Sequence, residues 1–298
     1  MVAPAEGKGC AEVMRVLVTG SKGQLGSELV SILGERGTPV MGVDRPGIDI
    51  TQSGSIATAF SLFEPTVVIN CAAWTAVDDA ETNEPAALLA NGVGPELLAS
   101  ACASAGAWLV QISTDYVFAG DASVPYLETD EPAPLTAYGR TKLAGEVAVR
   151  RVLPDAHYIV RTAWLYGING NNFAKTMLKL MAERDTVSVV TDQVGQPTYA
   201  RDLAHQLIEL IDARPAAGTF HGTNSGVASW FEFAQAVFAG AGADTARVLP
   251  TDSASFVRPA PRPAYSVLGH DAWAAAGLAP MRDWREALDA AFKDGLSA

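Results

Sequence analysis

Val16-Leu17-Val18-Thr19-Gly20-Ser21-Lys22-Gly23-Gln24-Leu25-Gly26 decides the fold. Arg15 to Thr19 reads as a buried strand, and the glycines that follow it directly open a helix. Their spacing is G-x-x-G-x-x-G. Gly20 makes the tight turn, Gly23 lets the backbone approach a pyrophosphate, and Gly26 lets helix and strand pack closely. The helix would then meet phosphates with free N–H groups and the positive end of its dipole.

Working outward, Asp44 closes a second strand over Pro39 to Val43, 24 residues beyond Gly20. An acidic residue there bonds the adenosine ribose hydroxyls of a dinucleotide. Arg45 beside it could accept a 2′-phosphate, so NADH and NADPH both remain open. Asp49-Ile50-Thr51 either borders the adenine or supplies an ordinary helix cap through Asp49.

Further apolar runs fall at Thr66–Asn70, Ala107–Ile112, His157–Arg161 and Val187–Val190, separated by helical patterns such as Gly94–Ser104 and Ala137–Val152. The runs are continuous rather than alternating, as expected of strands covered on both faces. This predicts an α/β fold, a doubly wound parallel sheet. After about Gly167 the pattern breaks into turns, a capping box at Ser229-Trp230-Phe231-Glu232 and a core stripe of Trp284, Leu288 and Phe292. Arg258 to Pro263 reads as an irregular surface loop. A dinucleotide-binding part is expected over residues 14–165, regaining strands near 186–191 and 218–222. A smaller, discontinuous substrate-binding part takes up most of residues 166–298.

The 298 residues are 49% hydrophobic and 18% charged, a globular composition. The net charge of −12 opposes a nucleic-acid or anionic-membrane partner, whose phosphates need a basic face. Cys10, Cys71 and Cys102 are too few and too scattered for a disulfide framework or zinc site, and the last two read as small core residues. Residues 1–13 lack the apolar centre of a signal peptide and read as a flexible extension. No uninterrupted apolar run is long enough to span a bilayer. A cytoplasmic address is expected.

Tyr138-Gly139-Arg140-Thr141-Lys142 places a phenol and an amine at i and i+4, on one helix face. A free Tyr, with a pKa of about 10, exchanges protons poorly at neutral pH. A neighbouring ammonium is expected to lower that value. Thr114, within Ser113-Thr114-Asp115-Tyr116, ends the fourth strand, where ligands of parallel sheets gather. A hydroxyl to hold a carbonyl oxygen, a Tyr to protonate it and a Lys to tune the Tyr are what carbonyl reduction by hydride requires.

With these motifs the chain resembles the extended short-chain dehydrogenase/reductase superfamily and, within it, the dTDP-4-dehydrorhamnose reductases. The likeness runs from about Met14 to the last helix. It is carried by Asn70-Cys71-Ala72-Ala73-Trp74-Thr75-Ala76-Val77-Asp78, Ser113 to Phe118, Tyr138 to Glu146, Arg161-Thr162-Ala163-Trp164-Leu165-Tyr166-Gly167, Asn171 to Met177 and Asp192-Gln193-Val194-Gly195-Gln196-Pro197-Thr198. The resemblance implies reduction by NADPH or NADH of the C4 ketone of a nucleotide sugar, dTDP-4-dehydro-β-L-rhamnose. It places Gly23, Gln24 and Leu25 at the pyrophosphate, Asp44, Asp49 and Ile50 by the adenosine, and Ala73, Trp74 and Thr75 beside the cofactor. Thr114, Tyr138 and Lys142 match the catalytic trio, with Lys142 also bonding the nicotinamide ribose. Thr114, Asp115, Trp164 and Val77 match sugar-contacting positions, and Arg262 is the candidate diphosphate contact. Asn91 matches an asparagine used structurally near the site. Some members form metal-bridged dimers through acidic side chains. Arg201 stands where an acid can occur, so no metal is expected, and the chain is read as a monomer or homodimer.

Two rivals stay open. A nucleotide-sugar epimerase or dehydratase would keep its cofactor oxidised between turnovers, and a dehydratase would need acid–base groups beyond Asp115. A non-catalytic regulatory subunit, like that of methionine adenosyltransferase, shares the superfamily but has no need of the complete Thr114, Tyr138 and Lys142 set.

Overall fold

The computed structural model describes residues 13–298. The expected extension over residues 1–13, Cys10 included, falls outside them except for Val13. β1 (Val16–Thr19) runs through the glycine turn into α1 (Gln24–Glu35), followed by β2 (Val40–Val43), α2 (Ser53–Phe63) and β3 (Val67–Asn70). Then come the short α3 (Val77–Ala80) and α4 (Glu84–Leu88), a π-helical turn over Leu89–Val93, and α5 (Gly94–Ala105). β4 (Trp108–Thr114), α6 (Ala137–Val152) and β5 (His157–Thr162) complete the first half. The second half holds β6 (Leu165–Tyr166), α7 (Phe173–Glu183), β7 (Val187–Val190), β8 (Val194–Gly195), β9 (Thr198–Tyr199), α8 (Ala200–Ala213) and β10 (Gly218–His221). It closes with β11 (Ala228–Ser229), α9 (Trp230–Gly240), β12 (Val248–Thr251), α10 (Asp271–Ala275) and α11 (Trp284–Lys293).

Six strands form one parallel sheet in the order β10-β5-β4-β3-β1-β2. The chain leaves β1 to build β2 on one side, then crosses to β3 on the other. That reversal opens a crevice at the carboxyl ends of β1 and β3. Because strand side chains alternate, the apolar runs feed two cores. Val16, Val18, Ile69 and Val160 pack on α1 and α8, through Leu29, Leu33, Leu203 and Leu207. Leu17, Val68, Leu109 and Ile159 pack on α2, α5 and α6, through Ile56, Leu98, Cys102 and Val149. The sheet is Rossmann-like, as the sequence predicts. A third core joins α7, α9 and α11 through Met177, Phe233, Phe238, Trp284 and Leu288.

Three expectations need correction. Val187–Val190 does not return to the main sheet. It pairs in parallel with β12, because only Val187 and Val189 are buried while Ser188 faces out, so the strand has one apolar face and not two. Cys71 is not fully buried like Cys102; it directly follows β3, packs against the first core and is half-buried in a cavity wall. The stretch Arg258–Pro263 is not simply a surface loop, since Ala260 is buried and Arg262 half-buried. Among the described residues one helical stretch, Glu84–Ala105, is long and apolar enough to cross a membrane by length and composition. It carries Pro85 and Pro95, and packs Leu98 and Cys102 into the core.

Candidate active site

The crevice opens into a cavity of about 1410 Å³. Single-ligand pockets run about 300–1,000 Å³, so there is room for a dinucleotide and a second molecule. Every site residue named from the sequence lines it except Asn91.

At one end lies the glycine turn. Gly20 has φ +64°, and a Cβ on it would lie 2.8 Å from the Ala72 nitrogen. A Cβ on Gly26 would run into the Gly20 carbonyl. Both positions therefore need glycine for turn and close packing. The first turn of α1 has no side-chain cap, as in α2, α5 and α8, but here the uncapped start follows the glycine turn and borders the cavity. Its N–H groups are left for an anion, so these residues fit a pyrophosphate. Asp44 accepts from the Lys22 N–H at 2.9 Å and sits 3.3 Å from its ammonium. Burial opposes ionisation there, but the Lys22 bonds outweigh it and hold the carboxyl below its usual range. Asp49 accepts from the N–H and hydroxyl of Thr51, a turn cap, while it also borders the cavity. Ile50 is buried against Gly94.

The loop after β3 is pinned from behind. Asn91, in the π-helical turn, accepts from the Trp74 N–H at 2.8 Å and donates to the Trp74 carbonyl and to Thr141. One buried amide thus ties the Trp74 backbone to Thr141 of α6. A π-turn of this kind recurs at functional sites.

Thr114, Asp115, Tyr138 and Lys142 all line this one cavity. The Thr114 hydroxyl donates to Asp115 Oδ1 at 2.9 Å. Burial pushes the Tyr138 phenol up to about 12, with the Thr114 hydroxyl lowering it and the Asp115 charge raising it. Lys142 does not depress this pKa, against expectation. Its ammonium points to the Ile112 carbonyl of β4 at 2.6 Å, and burial pulls it down to about 8 against the opposing pull of Glu146.

Burial also pushes the Asp115 carboxyl up to about 6, with the Ser266 and Thr114 hydroxyls lowering it; Oδ2 is buried without a well-formed hydrogen bond. A raised folded pKa means that the folded state holds the proton more tightly than the unfolded chain. The ionised form then costs stability above about pH 6, and the cost fades as pH falls to the unfolded value near 4. Asp115→Asn is therefore expected to melt several degrees above wild type at about pH 8, with the gap closing toward about pH 4. Thermal denaturation at the two pH values checks this, and an equal shift at both would count against it.

Trp164 has φ +45°. A left-handed non-glycine residue costs about 1–3 kcal/mol and clusters at functional sites. Arg262 donates to Asp78 Oδ2 at 2.8 Å, and Arg258 lies 3.7 Å from the same oxygen. Val77 borders the cavity beside them. Away from the site, Arg201 pairs with Glu28 at 3.2 Å and approaches Asp294 at 3.9 Å. Sequence reasoning missed the far lobe, lined by Phe173, Met177, Val187 to Val190 and Trp230. The capping box fixed Trp230 at a helix start, and the family-like stretch Asn171 to Met177 held Phe173 and Met177, but neither signal gave these residues a place in the cavity.

A family model described as the RmlD substrate binding domain matches residues 14–296. The chain belongs to this family. It is 51% identical over 282 residues to a dTDP-4-dehydrorhamnose reductase of Streptomyces griseus, covering 93% of each chain. It is 48% identical over 278 residues to a dTDP-4-keto-6-deoxy-D-glucose reductase of Streptomyces niveus, covering 93% of this chain and 96% of the relative. A crystal structure of dTDP-4-dehydrorhamnose reductase from Bacillus anthracis in complex with NADP superposes with TM-score 0.91. It is 40% identical, over 94% of this chain and 99% of that one.

Proposed function

We propose that the protein reduces the C4 ketone of dTDP-4-dehydro-β-L-rhamnose to an alcohol, using NADPH or NADH. The observation that carries this reading is the meeting of Thr114, Tyr138 and Lys142 in one cavity with an uncapped, glycine-led helix start. The reduced nicotinamide supplies a hydride to the ketone carbon. As that bond forms, the carbonyl electron pair moves to oxygen, and Tyr138 gives its proton there. Its raised pKa keeps the phenol protonated at neutral pH, as an acid must be. Thr114 has a single hydroxyl proton, given to Asp115 Oδ1 in the free site. With the sugar bound the hydroxyl turns from that carboxylate and donates to the same ketone oxygen. Lys142 holds ribose hydroxyls and adds positive charge beside the developing oxyanion, an influence that fades as pH rises through about 8.

Gly20, Gly23, Gln24, Leu25 and Gly26 hold the pyrophosphate in this reading. Asp44, Asp49 and Ile50 border the adenosine, and Ala73, Trp74 and Thr75 the nicotinamide side. Val77, Asp115, Trp164 and Arg262 hold the nucleotide sugar. Residues 14–165 are the cofactor part and most of 166–298 the substrate part, working in the cytoplasm as a monomer or homodimer without nucleic acid, membrane or metal. The similarity to a 4-keto-6-deoxy-D-glucose reductase supports a second substrate of the same class.

The test is NADPH and NADH oxidation with each of the two dTDP-keto sugars, the product identified in every case. Stoichiometric oxidation with the rhamnose precursor is expected. Absence of oxidation with both sugars would overturn the reading, and faster turnover of the glucose-derived sugar would replace the substrate.

A further inference from the structure

Among the described residues, three other than glycine have a left-handed backbone: Glu64, Trp164 and Arg214. Glu64 and Arg214 are C-caps of α2 and α8, where a left-handed residue ends a helix in the ordinary way. Trp164 ends no helix. Its backbone is held because its carbonyl accepts from the Thr198 N–H at 3.1 Å and β6 pairs with β9 immediately after it.

The side chain is held as firmly. The indole stacks on that of Trp230 with centroids 3.6 Å apart and planes 9° from parallel. Gly195 lies against it too, and a Cβ there would lie 2.6–2.9 Å from Cε2, Cζ2 and Nε1 of the ring. Gly195 has no left-handed φ, so it is space for the indole that requires glycine here. The parts of this slot are braced together. β8 carries Gly195 and pairs with β11, which leads straight into the Ser229–Glu232 capping box. The box sets Trp230 as the first residue of α9, and the Phe173 ring packs 4.5 Å from it.

We propose that Trp230, with Gly195, is a positioning residue that fixes the Trp164 indole as a rigid wall of the sugar site. This rests on the reductase reading above. A keto sugar is a small ring bearing several similar oxygens, and one firm wall limits the poses it can take against Tyr138 and Thr114. A wall free to turn lets the sugar drift out of reacting geometry, which lowers kcat more than it weakens cofactor binding.

The experiment compares wild type with Trp230→Leu, Trp230→Phe and Gly195→Ala by steady-state kinetics, NADPH fluorescence titration and circular dichroism. Two indoles stacked this closely give an exciton couplet. Trp230→Leu and Gly195→Ala should both lose it and lower kcat by about tenfold or more, with NADPH affinity unchanged within about twofold. Trp230→Phe also loses the couplet, but keeps a ring on the indole and should keep kcat within about threefold of wild type. A role in folding alone would lower the amount of active enzyme, not kcat per folded site, and would not be rescued by Phe. If Trp230→Leu turns over within about twofold of wild type, or Trp230→Phe loses as much as Trp230→Leu, the positioning role is overturned. If wild type itself is inert with the keto sugar, the reductase reading falls and takes this proposal with it.

Discussion

Tyr138→Phe should lower kcat by about 10²–10⁴-fold, the usual contribution of a positioned general acid, while NADPH affinity stays nearly unchanged. The substitution removes one hydroxyl and leaves the ring. That ring packs with Ala80, Ala87, Ala137 and Trp74 and meets Tyr116 edge-on at 5.7 Å, contacts that Phe keeps. No cavity is created, so a stability loss cannot account for the lost activity. Lys142 keeps its bond to the Ile112 carbonyl, and the Thr114 hydroxyl still bonds Asp115. The variant therefore isolates proton donation. Coenzyme oxidation followed by absorbance gives kcat, and fluorescence titration gives the coenzyme dissociation constant. Turnover within about tenfold of wild type would refute the role of the phenol. With the phenol near 12, no alkaline limb from its ionisation is expected in the wild-type profile across neutral pH.

The missing influence of Lys142 on Tyr138 marks a limit of reading spacing alone. Positions i and i+4 put two side chains on one helix face, but where a long amine ends depends on what else offers it an acceptor. Here the carbonyl of Ile112, at the end of a different element, captures it. The glycine turn was legible because its constraint is local: β1, the turn and α1 are consecutive, and Gly26 packs on Gly20 only six residues away. The main strands were legible because both faces are apolar. Val187–Val190 misled because its Val-rich run hides the one outward residue, Ser188, and its partner β12 lies some 60 residues on and contains Pro250. β6, β8, β9 and β11 span two residues each, too short for any period. The Trp164–Trp230 stack joins rings 66 positions apart through such strands, so no local pattern could announce it. Asn91 was found by resemblance, but its hold on Trp74 appears only when the π-turn is seen.

Glu146→Ala should be the most destabilising of the single changes considered. Glu146 is fully buried one turn beyond Lys142 and gathers four donors. They are Ser113 Oγ at 2.6 Å, Arg161 Nε at 3.0 Å, Arg161 Nη2 at 2.7 Å and Arg150 Nη2 at 2.8 Å. Arg161 is itself 1% exposed, and its Nη1 already has no partner. Removing the carboxylate strands a guanidinium away from water, which costs about 3–5 kcal/mol. At about 2–4 °C per kcal/mol for a chain of this size, Tm should fall by about 6–20 °C. A pair of similar geometry elsewhere supplies the control. Arg140 bonds Glu84 through both Nε and Nη2, at 2.9 and 2.8 Å, but the two side chains are 44% and 39% exposed. Water and salt take over there, so Glu84→Ala should cost less than about 1 kcal/mol. Burial, and not bond length, decides the difference. The double variant Glu146→Ala with Arg161→Leu should regain much of the loss, because it is the unpaired charge and not the missing bond that destabilises. Calorimetry of the three variants checks the ordering; a Glu146→Ala melt no lower than that of Glu84→Ala would show that Arg161 finds other partners. Since Ser113 precedes Thr114 on β4 and Glu146 follows Lys142 on α6, the same carboxylate also ties together the two elements that deliver the reacting groups. Activity should accordingly fall in Glu146→Ala even at temperatures where it remains folded.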